Sequence, residues 1–407
     1  MINPFALSPP QALYIHVPFC QGKCLYCDFY SENYSPESAA IYSQRIQQEL
    51  LLSLAYAKEK FASQACLEKP LQSIYFGGGT PSLLSAEQVK DILDLCRENF
   101  TWAKDIEISL EANPATELSA KLPAYLEAGV NRLSLGLQTS NEDLLQKIGR
   151  RHSLEDFLTA YQEARESGFK NISLDLIFGL PGQSRDDFRE DLRLVKQLQP
   201  EHLSFYSLIL EENTPLGAYY LEHPEELPSE QEERAMYHLI PEVLENAGYE
   251  LYEISNAAKP GFASRHNSLY WRAEPYYACG PGASSYFAGK RRTRIANFHK
   301  WEKIVKQQWQ NYQTTMSVSD LPSGLFSFEE SVSASEARKE FMLLGFRLLD
   351  GVSTEKFKEL FQEDMHDLYG SDLTKLCERG LIKKTSEGYC LSLLGRDLAN
   401  QVFMAFV

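Results

Sequence analysis

Several features are scarce in this chain, and each scarcity excludes a class of protein. No apolar run reaches the roughly 20 residues that a helix needs to cross a bilayer. Positive charge is in deficit: 40 Lys and Arg stand against 56 Asp and Glu, a formal net charge of −16. Non-specific binding to nucleic acid and docking of a basic face on anionic lipid both need clustered Lys and Arg, so neither is expected. The opening Met1-Ile-Asn-Pro-Phe-Ala-Leu-Ser-Pro-Pro10 lacks a basic stretch followed by an apolar run, and the expectation is a cytosolic chain. There is no internal repeat and no low-complexity tract. The even Cys spread of a secreted disulfide scaffold is missing as well. Of eight Cys, five (Cys66, Cys96, Cys279, Cys377, Cys390) are scattered and read as small buried hydrophobes, while three crowd into eight positions. In a reducing compartment such a crowd reads as a metal or redox site.

What is present is a repeated alternation of strand and helix. Runs rich in β-branched and aromatic residues predict strands at Leu13–Val17, Ser73–Gly77, Glu107–Glu111, Arg132–Leu137, Asn171–Phe178 and His202–Leu208. Ser85 with Gln88, and Ser153 with Asp156, form capping-box patterns at helix starts, and Gly129 and Gly168 stand where helices should stop. Six such units imply a parallel α/β sheet, too few to close an eight-stranded barrel. The expected fold is a partial (β/α)6 barrel, with an open doubly wound sheet as the alternative. Residues 314–335, rich in Ser and Thr, read as a linker. From Glu336 helices at Glu336–Leu349, Thr354–Phe361 and Asp372–Arg379, a hairpin at Ser386-Glu-Gly388 and a closing helix from about Leu394 predict a winged-helix-like α+β domain. The division is thus 1–313, 314–335 and 336–407. The last part carries ten Lys and Arg against twelve Asp and Glu, so it has no electrostatic footprint for DNA and reads as a lid or docking element.

The unusual residues fall at the carboxyl ends of the predicted strands, where parallel α/β folds build their sites. Cys20-Gln-Gly-Lys-Cys24-Leu-Tyr-Cys27 follows the first. Gly77-Gly-Gly-Thr-Pro81, Glu111-Ala-Asn-Pro114, Gln138 and Gly179-Leu-Pro-Gly182 end the next four. Thiolates are the normal ligands of Fe–S clusters. Three of them hold three irons of a four-iron cluster and leave the fourth open to the amine and carboxylate of an amino acid. A structural zinc site wants four protein ligands; no second Cys knuckle exists, and His16 lies within a strand. Asp175, a charge inside the apolar run Ile-Ser-Leu-Asp-Leu-Ile-Phe, needs a partner or a function.

Tyr14-Ile-His-Val-Pro-Phe-Cys20-x3-Cys24-x-Tyr-Cys27-Asp-Phe, followed in order by Gly77-Gly-Gly-Thr-Pro81, Glu111-Ala-Asn-Pro114, Leu135-Gly-Leu-Gln138 and Asp175-Leu-Ile-Phe-Gly-Leu-Pro-Gly182, resembles the radical S-adenosylmethionine (SAM) proteins of the oxygen-independent coproporphyrinogen III oxidase family. The resemblance spans nearly the whole chain. It implies a [4Fe–4S] cluster on Cys20, Cys24 and Cys27 and one or two SAM molecules. It places Gly78, Gly79 and Thr80 on SAM, Tyr14 and Tyr26 beside the cluster and adenine, and Gln138, Arg150 and Asp175 on SAM. Glu111 is a strand-end carboxylate able to accept from ribose hydroxyls.

The family's oxidases carry a further Cys two residues after the third cluster Cys; here that position is Phe29. Cys27-Asp-Phe29 and His266-Asn-Ser-Leu-Tyr-Trp271 resemble instead the HemW subgroup, regarded as haem chaperones, although Ser284 stands where many relatives have His. The resemblance implies haem, client haemoproteins and an electron donor as partners. His266 is the candidate haem ligand, with Tyr270, Trp271, Tyr276 and Tyr277 as walls for a macrocycle; the same His is equally a plain loop residue and the same aromatics equally core. Haem delivery is the first hypothesis, decarboxylation of coproporphyrinogen III the second, and a zinc-stabilised binding module the third.

Overall fold

Six strands place their apolar residues at every second position and turn them outward onto helices. They are β1 (Ala12–Val17), β2 (Leu71–Gly78), β3 (Trp102–Ala112), β4 (Arg132–Gln138), β5 (Ile172–Phe178) and β6 (His202–Ser207). The structure, a computed structural model, describes residues 3–61, 69–318 and 321–407; Cys66 and linker positions 319 and 320 lie outside the described residues. The six strands are parallel neighbours in chain order. Each crossover therefore steps one place in the same direction, as in a (β/α) barrel stopped at six. The helices that follow start as the sequence predicts. Ser85 and Ser153 form reciprocal capping boxes with Gln88 and Asp156, and Gly129 ends its helix in the left-handed conformation.

The sheet does not close. Beyond β6 it turns antiparallel through β7 (Glu250–Glu253) and β8 (Asn256–Ala258), in the order β6-β8-β7. On the other side β9 (Tyr276–Cys279) runs parallel to β1, and β10 (Ser284–Phe287), β11 (Lys290–Arg294) and β12 (Phe326–Ser331) continue outward antiparallel. The last strand falls inside the segment expected as a linker. Ion pairs across the β11–β12 register, Arg292–Glu329 at 2.6 Å and Arg291–Glu330 at 3.4 Å, hold it there.

The main core is the outward face of the strands, with Leu13, Ile74, Phe76, Ile108, Leu135 and Leu174 against the helices. A second core joins the helices Ala334–Gly345, Thr354–Phe361 and Met365–Glu378 to the three-stranded sheet of Val352–Ser353, Ile382–Lys384 and Gly388–Leu391, and it takes in Phe5 and Tyr286 from the first part of the chain. No helix among the described residues is long and apolar enough to cross a membrane.

Candidate functional site

The cysteine loop leaves β1 under backbone control. Phe19–Cys20 pairs with Glu32–Asn33, and Tyr34 N–H donates to the Cys20 carbonyl at 3.0 Å. Farther along, Leu25 N–H donates to Ile148 O (3.0 Å) and Leu25 O accepts from Leu216 N–H (2.9 Å). The loop is thus tied to the chain after β4 and to the helix Pro215–Tyr220. All three thiols are half-buried. Thr80 Oγ1 donates to Cys20 Sγ at 3.5 Å, and Arg150 Nη1 donates to Cys24 Sγ at 3.7 Å. Burial, with the nearby Cys24 and Cys20 adding, pushes the Cys27 thiol up to about 11. Such a thiol binds metal only by giving up its proton.

The donor set fits a cluster better than a single ion. Among the described residues the one set of three ligating side chains within 4.8 Å of one another is His223, Glu225 and Glu226; the three cysteine sulfurs stand wider than that. A tetrahedral Zn2+ with bonds of about 2.3 Å holds its sulfurs roughly 3.8 Å apart. Three thiols spread around one loop, each free of disulfide, with two hydrogen-bond donors aimed at them, suit a larger Fe–S body.

Beside the loop lies a cleft. Six residues singled out in the sequence line it together: Gly79, Thr80, Glu111, Gln138, Arg150 and Asp175, with Asn113, Ser134 and Gly136 between them. Glycine is required at its edge. Gly78 has φ +109°, and a Cβ there would sit 2.6 Å from the His16 ring; a Cβ on Gly79 would sit 2.6 Å from the Phe19 carbonyl oxygen. Gly78 N–H donates to Glu111 Oε2 at 3.2 Å, and Tyr75 OH donates to Oε1 at 2.8 Å. Burial lifts the Glu111 carboxyl to about 7, with Asp175 adding and the Tyr75 and Gly78 hydrogen bonds opposing. Burial likewise lifts Asp175 to about 6, against hydrogen bonds from Ser204 and Ser134.

Gln138 enters the cleft by an irregularity that the sequence does not announce. The β4–β5 register shifts between Gly136 and Gln138, and Gln138 has φ +67°. Asp191, fully buried, fixes the next turn by accepting at Oδ1 from Ser140 N–H and Oγ (both 2.6 Å) and from Thr139 Oγ1 (3.2 Å). Gly136 leaves room for Arg150, whose Nη2 donates to Gly136 O at 2.9 Å. A second set of residues, Asp175 apart, was also missed. The inward positions of the strands are polar at period two: Ser73 and Tyr75, Glu107 and Ser109, Arg132 and Ser134, Ser173 and Asp175, His202 and Ser204. That alternation was readable, because parallel strands buried on both faces are normally apolar throughout.

The remaining expected residues lie elsewhere. Tyr26 packs with Ile148, Leu180 and Leu216 behind the loop. Tyr14 is inside the barrel, stacked on Tyr75 with ring centroids 6.2 Å apart, its OH 3.1 Å from His16 Nδ1. His266 is on the barrel floor, 1% exposed, with Nδ1 at 2.9 Å from Ser73 Oγ and Nε2 at 2.7 Å from Tyr270 OH. Burial, with Arg132 adding, lowers it to about 3. Both ring nitrogens are hydrogen-bonded here, so an iron at His266 would have to displace the Ser73 or the Tyr270 hydroxyl. Trp271 lies under the Arg347 guanidinium at 4.1 Å, and Ser284 bonds Thr293 Oγ1 across the β10–β11 hairpin at 2.9 Å.

Comparison with known proteins agrees with this architecture. The Radical SAM superfamily model matches residues 14–195 and the HemN C-terminal domain model residues 332–398. Heme chaperone HemW of Bacillus subtilis is 36% identical over 398 residues, covering 98% of this chain and 99% of that protein. Heme chaperone HemW of Escherichia coli is 34% identical over 337 residues, 82% of this chain and 86% of that protein. The solved structure of the Escherichia coli coproporphyrinogen III oxidase HemN, a radical SAM enzyme, superposes with a TM-score of 0.80 at 21% identity, covering 98% of this chain and 90% of that one, which establishes the shared fold. By sequence over its whole length and by fold, the chain belongs to the HemW family of radical SAM proteins.

Proposed function

We propose that the protein is a haem chaperone that holds a [4Fe–4S] cluster on Cys20, Cys24 and Cys27, binds SAM in the adjoining cleft, and passes haem to client haemoproteins, with a separate electron donor serving the cluster. The observation that carries the cofactor reading is that two residues of the cleft of Gly79, Thr80, Glu111, Gln138, Arg150 and Asp175 reach the thiol loop, Thr80 bonding the Cys20 sulfur and Arg150 the Cys24 sulfur. When bound, the cluster supplies the electron that cleaves SAM. The chain's own residues do the positioning. Gly78 and Gly79 let backbone approach the ligand, Glu111 is oriented by Tyr75 and Gly78, and Arg150 puts a fixed positive charge between the Cys24 sulfur and the cleft. The chaperone reading over the oxidase reading rests on Phe29 in place of a further thiol and on the haem chaperone relatives. The deciding experiment titrates haem and assays coproporphyrinogen III with the same anaerobically reconstituted protein. Haem should bind and no decarboxylation should occur; SAM-dependent decarboxylation without haem binding reverses the assignment.

Two outcomes test the cleft. Gly79→Val should abolish the change that SAM makes in the EPR spectrum of the reduced cluster. Its side chain would press on the Phe19 carbonyl and so on the strand carrying Cys20, as well as closing the approach to the ligand. An unaltered spectral response removes Gly79 from the site. The second outcome concerns pH. In the free protein Glu111 is part protonated near neutrality. SAM is cationic and favours the ionised carboxylate, so its binding releases a proton and tightens as pH rises. From about pH 8 to about pH 6 the affinity should fall by up to about tenfold, and Glu111→Gln should lose most of that slope. Identical slopes in the two proteins exclude Glu111 as the titrating contact.

A further inference from the structure

The lumen of the barrel holds a charge that no described residue pairs. Arg132, at the start of β4, is 2% exposed and points inward, since Leu133 and Leu135 take the outward positions. Its Nε has no hydrogen-bond partner, and the guanidinium makes no ion pair among the described residues. The groups around it are engaged elsewhere. Glu107 accepts at Oε1 from His266 N–H (3.2 Å) and at Oε2 from Arg265 N–H (3.1 Å). Asp175 accepts from Ser134 Oγ at 3.2 Å. Tyr252 OH meets His202 Nε2 at 2.9 Å and accepts from Ser264 N–H at 3.2 Å.

Directly across the β3–β4 register stands Ser109, fully buried, whose inward hydroxyl also lacks a partner. A guanidinium and a hydroxyl are thus left open at paired positions of adjacent strands. A guanidinium taken out of water without a partner is costly, and such a group is kept where something pairs with it. The pair lies below the cleft. Glu111 and Ser134, which line the cleft, are themselves register partners and the next inward residues of the same two strands. Ser109 and Arg132 therefore sit two residues, roughly 7 Å, farther down the lumen. Both cleft carboxylates, Glu111 and Asp175, feel the Arg132 charge.

We propose that Arg132 and Ser109 bind the carboxylate of an organic ligand seated in the barrel lumen beneath the cleft, a site separate from those of the cluster and SAM. The fork of an arginine matches a planar carboxylate with two parallel bonds, and the serine hydroxyl adds a third donor. A phosphate is disfavoured, because Glu107 and Asp175 already bring negative charge to Arg132 and would repel a dianion. The carboxylate belongs either to a porphyrin side chain or to a free small acid, and the chemistry of the site is the same for both. The proposal goes beyond the chaperone reading, since it stands whether or not the ligand is haem.

The test uses full-length, cluster-loaded protein with SAM present and two probes: haemin against its dimethyl ester, read by absorption, and the diacid adipate, read by calorimetry. If the ligand is a porphyrin, haemin should bind about tenfold more tightly than the ester, and Arg132→Lys should erase that preference. If it is a free acid, adipate should bind saturably and lose about tenfold in affinity with Arg132→Lys. Lysine keeps the positive charge that Glu111 and Asp175 feel but not the fork, so the SAM-dependent EPR spectrum should be unchanged, which shows that the variant is folded. Ser109→Ala removes a hydroxyl that has no partner to lose. It should leave the unfolding midpoint where it is and still weaken carboxylate binding severalfold. Haemin and ester that bind the wild type alike, with no adipate binding, overturn the proposal. So does a carboxylate preference that survives both substitutions. Wild-type protein that binds adipate through Arg132 but no haemin keeps this site and defeats the chaperone reading.

Discussion

Anaerobic reconstitution should give about four irons per chain in the wild type, and Cys20→Ser, Cys24→Ser and Cys27→Ser should each lose the iron and the brown colour. The expectation follows from how the loop is built. The loop carrying the three thiols is held by backbone bonds to residues 32–34, to Ile148 and to Leu216, so no other cysteine can substitute by a small shift. Serine keeps the shape but not the soft thiolate that iron–sulfur clusters require. Cys27 starts as a half-buried thiol whose deprotonation is resisted, and binding must overcome that cost with all three ligands present. The charge of Arg150 and the hydroxyl of Thr80 offset part of it by donating to the sulfurs of Cys24 and Cys20. Cys377→Ser is the control, since that residue is in the helix Met365–Glu378 of the second core. Iron content that survives any one of the three loop substitutions, or stoichiometric zinc in place of iron, removes the cluster assignment.

The cluster loop was legible because its chemistry is local: three cysteines within eight positions need no tertiary information. The strands were legible for a related reason, since apolar periodicity and capping boxes at Ser85 and Ser153 are short-range signals. What the sequence hid depends on distant partners. Residues 326–331 read as linker because their pairing energy lies in Arg291 and Arg292, more than thirty positions upstream. His266 read as a candidate ligand because nothing near it in sequence shows that Ser73 occupies its Nδ1. Gln138 takes a left-handed backbone that its residue type does not call for, and the turn that follows is gripped by Asp191, from a helix more than fifty positions downstream. The polar lumen is the exception. It was written at every second position of five strands and was passed over because strand assignment weighs the apolar residues.

The largest loss of stability should come from Glu49, far from the cleft in sequence yet supporting it. Glu49 is 1% exposed, and its Oε1 is paired with Arg294 Nε at 2.6 Å. Its Oε2 accepts from Gly280 N–H at 2.9 Å and from Trp301 Nε1 at 2.8 Å. Glu49→Ala strands three buried donors, one of them a guanidinium, and should cost about 3–5 kcal/mol. Arg294→Met should cost less, because the carboxylate it leaves behind still holds two N–H donors while Met fills much of the vacated space. The double variant Glu49→Leu/Arg294→Met should recover part of the loss by removing both charges, but not all of it, since Gly280 N–H and Trp301 Nε1 would still lack an acceptor. Denaturant unfolding of the three variants under one set of conditions reads this order directly. Equal losses for the two single substitutions would show that the ion pair alone carries the energy and that the Gly280 and Trp301 bonds add nothing. The order also bears on the site. Gly280 packs against the His16 carbonyl on β1, so a loosened Glu49 relaxes the strand that delivers Cys20, and Glu49→Ala should lower iron retention as well as the unfolding midpoint.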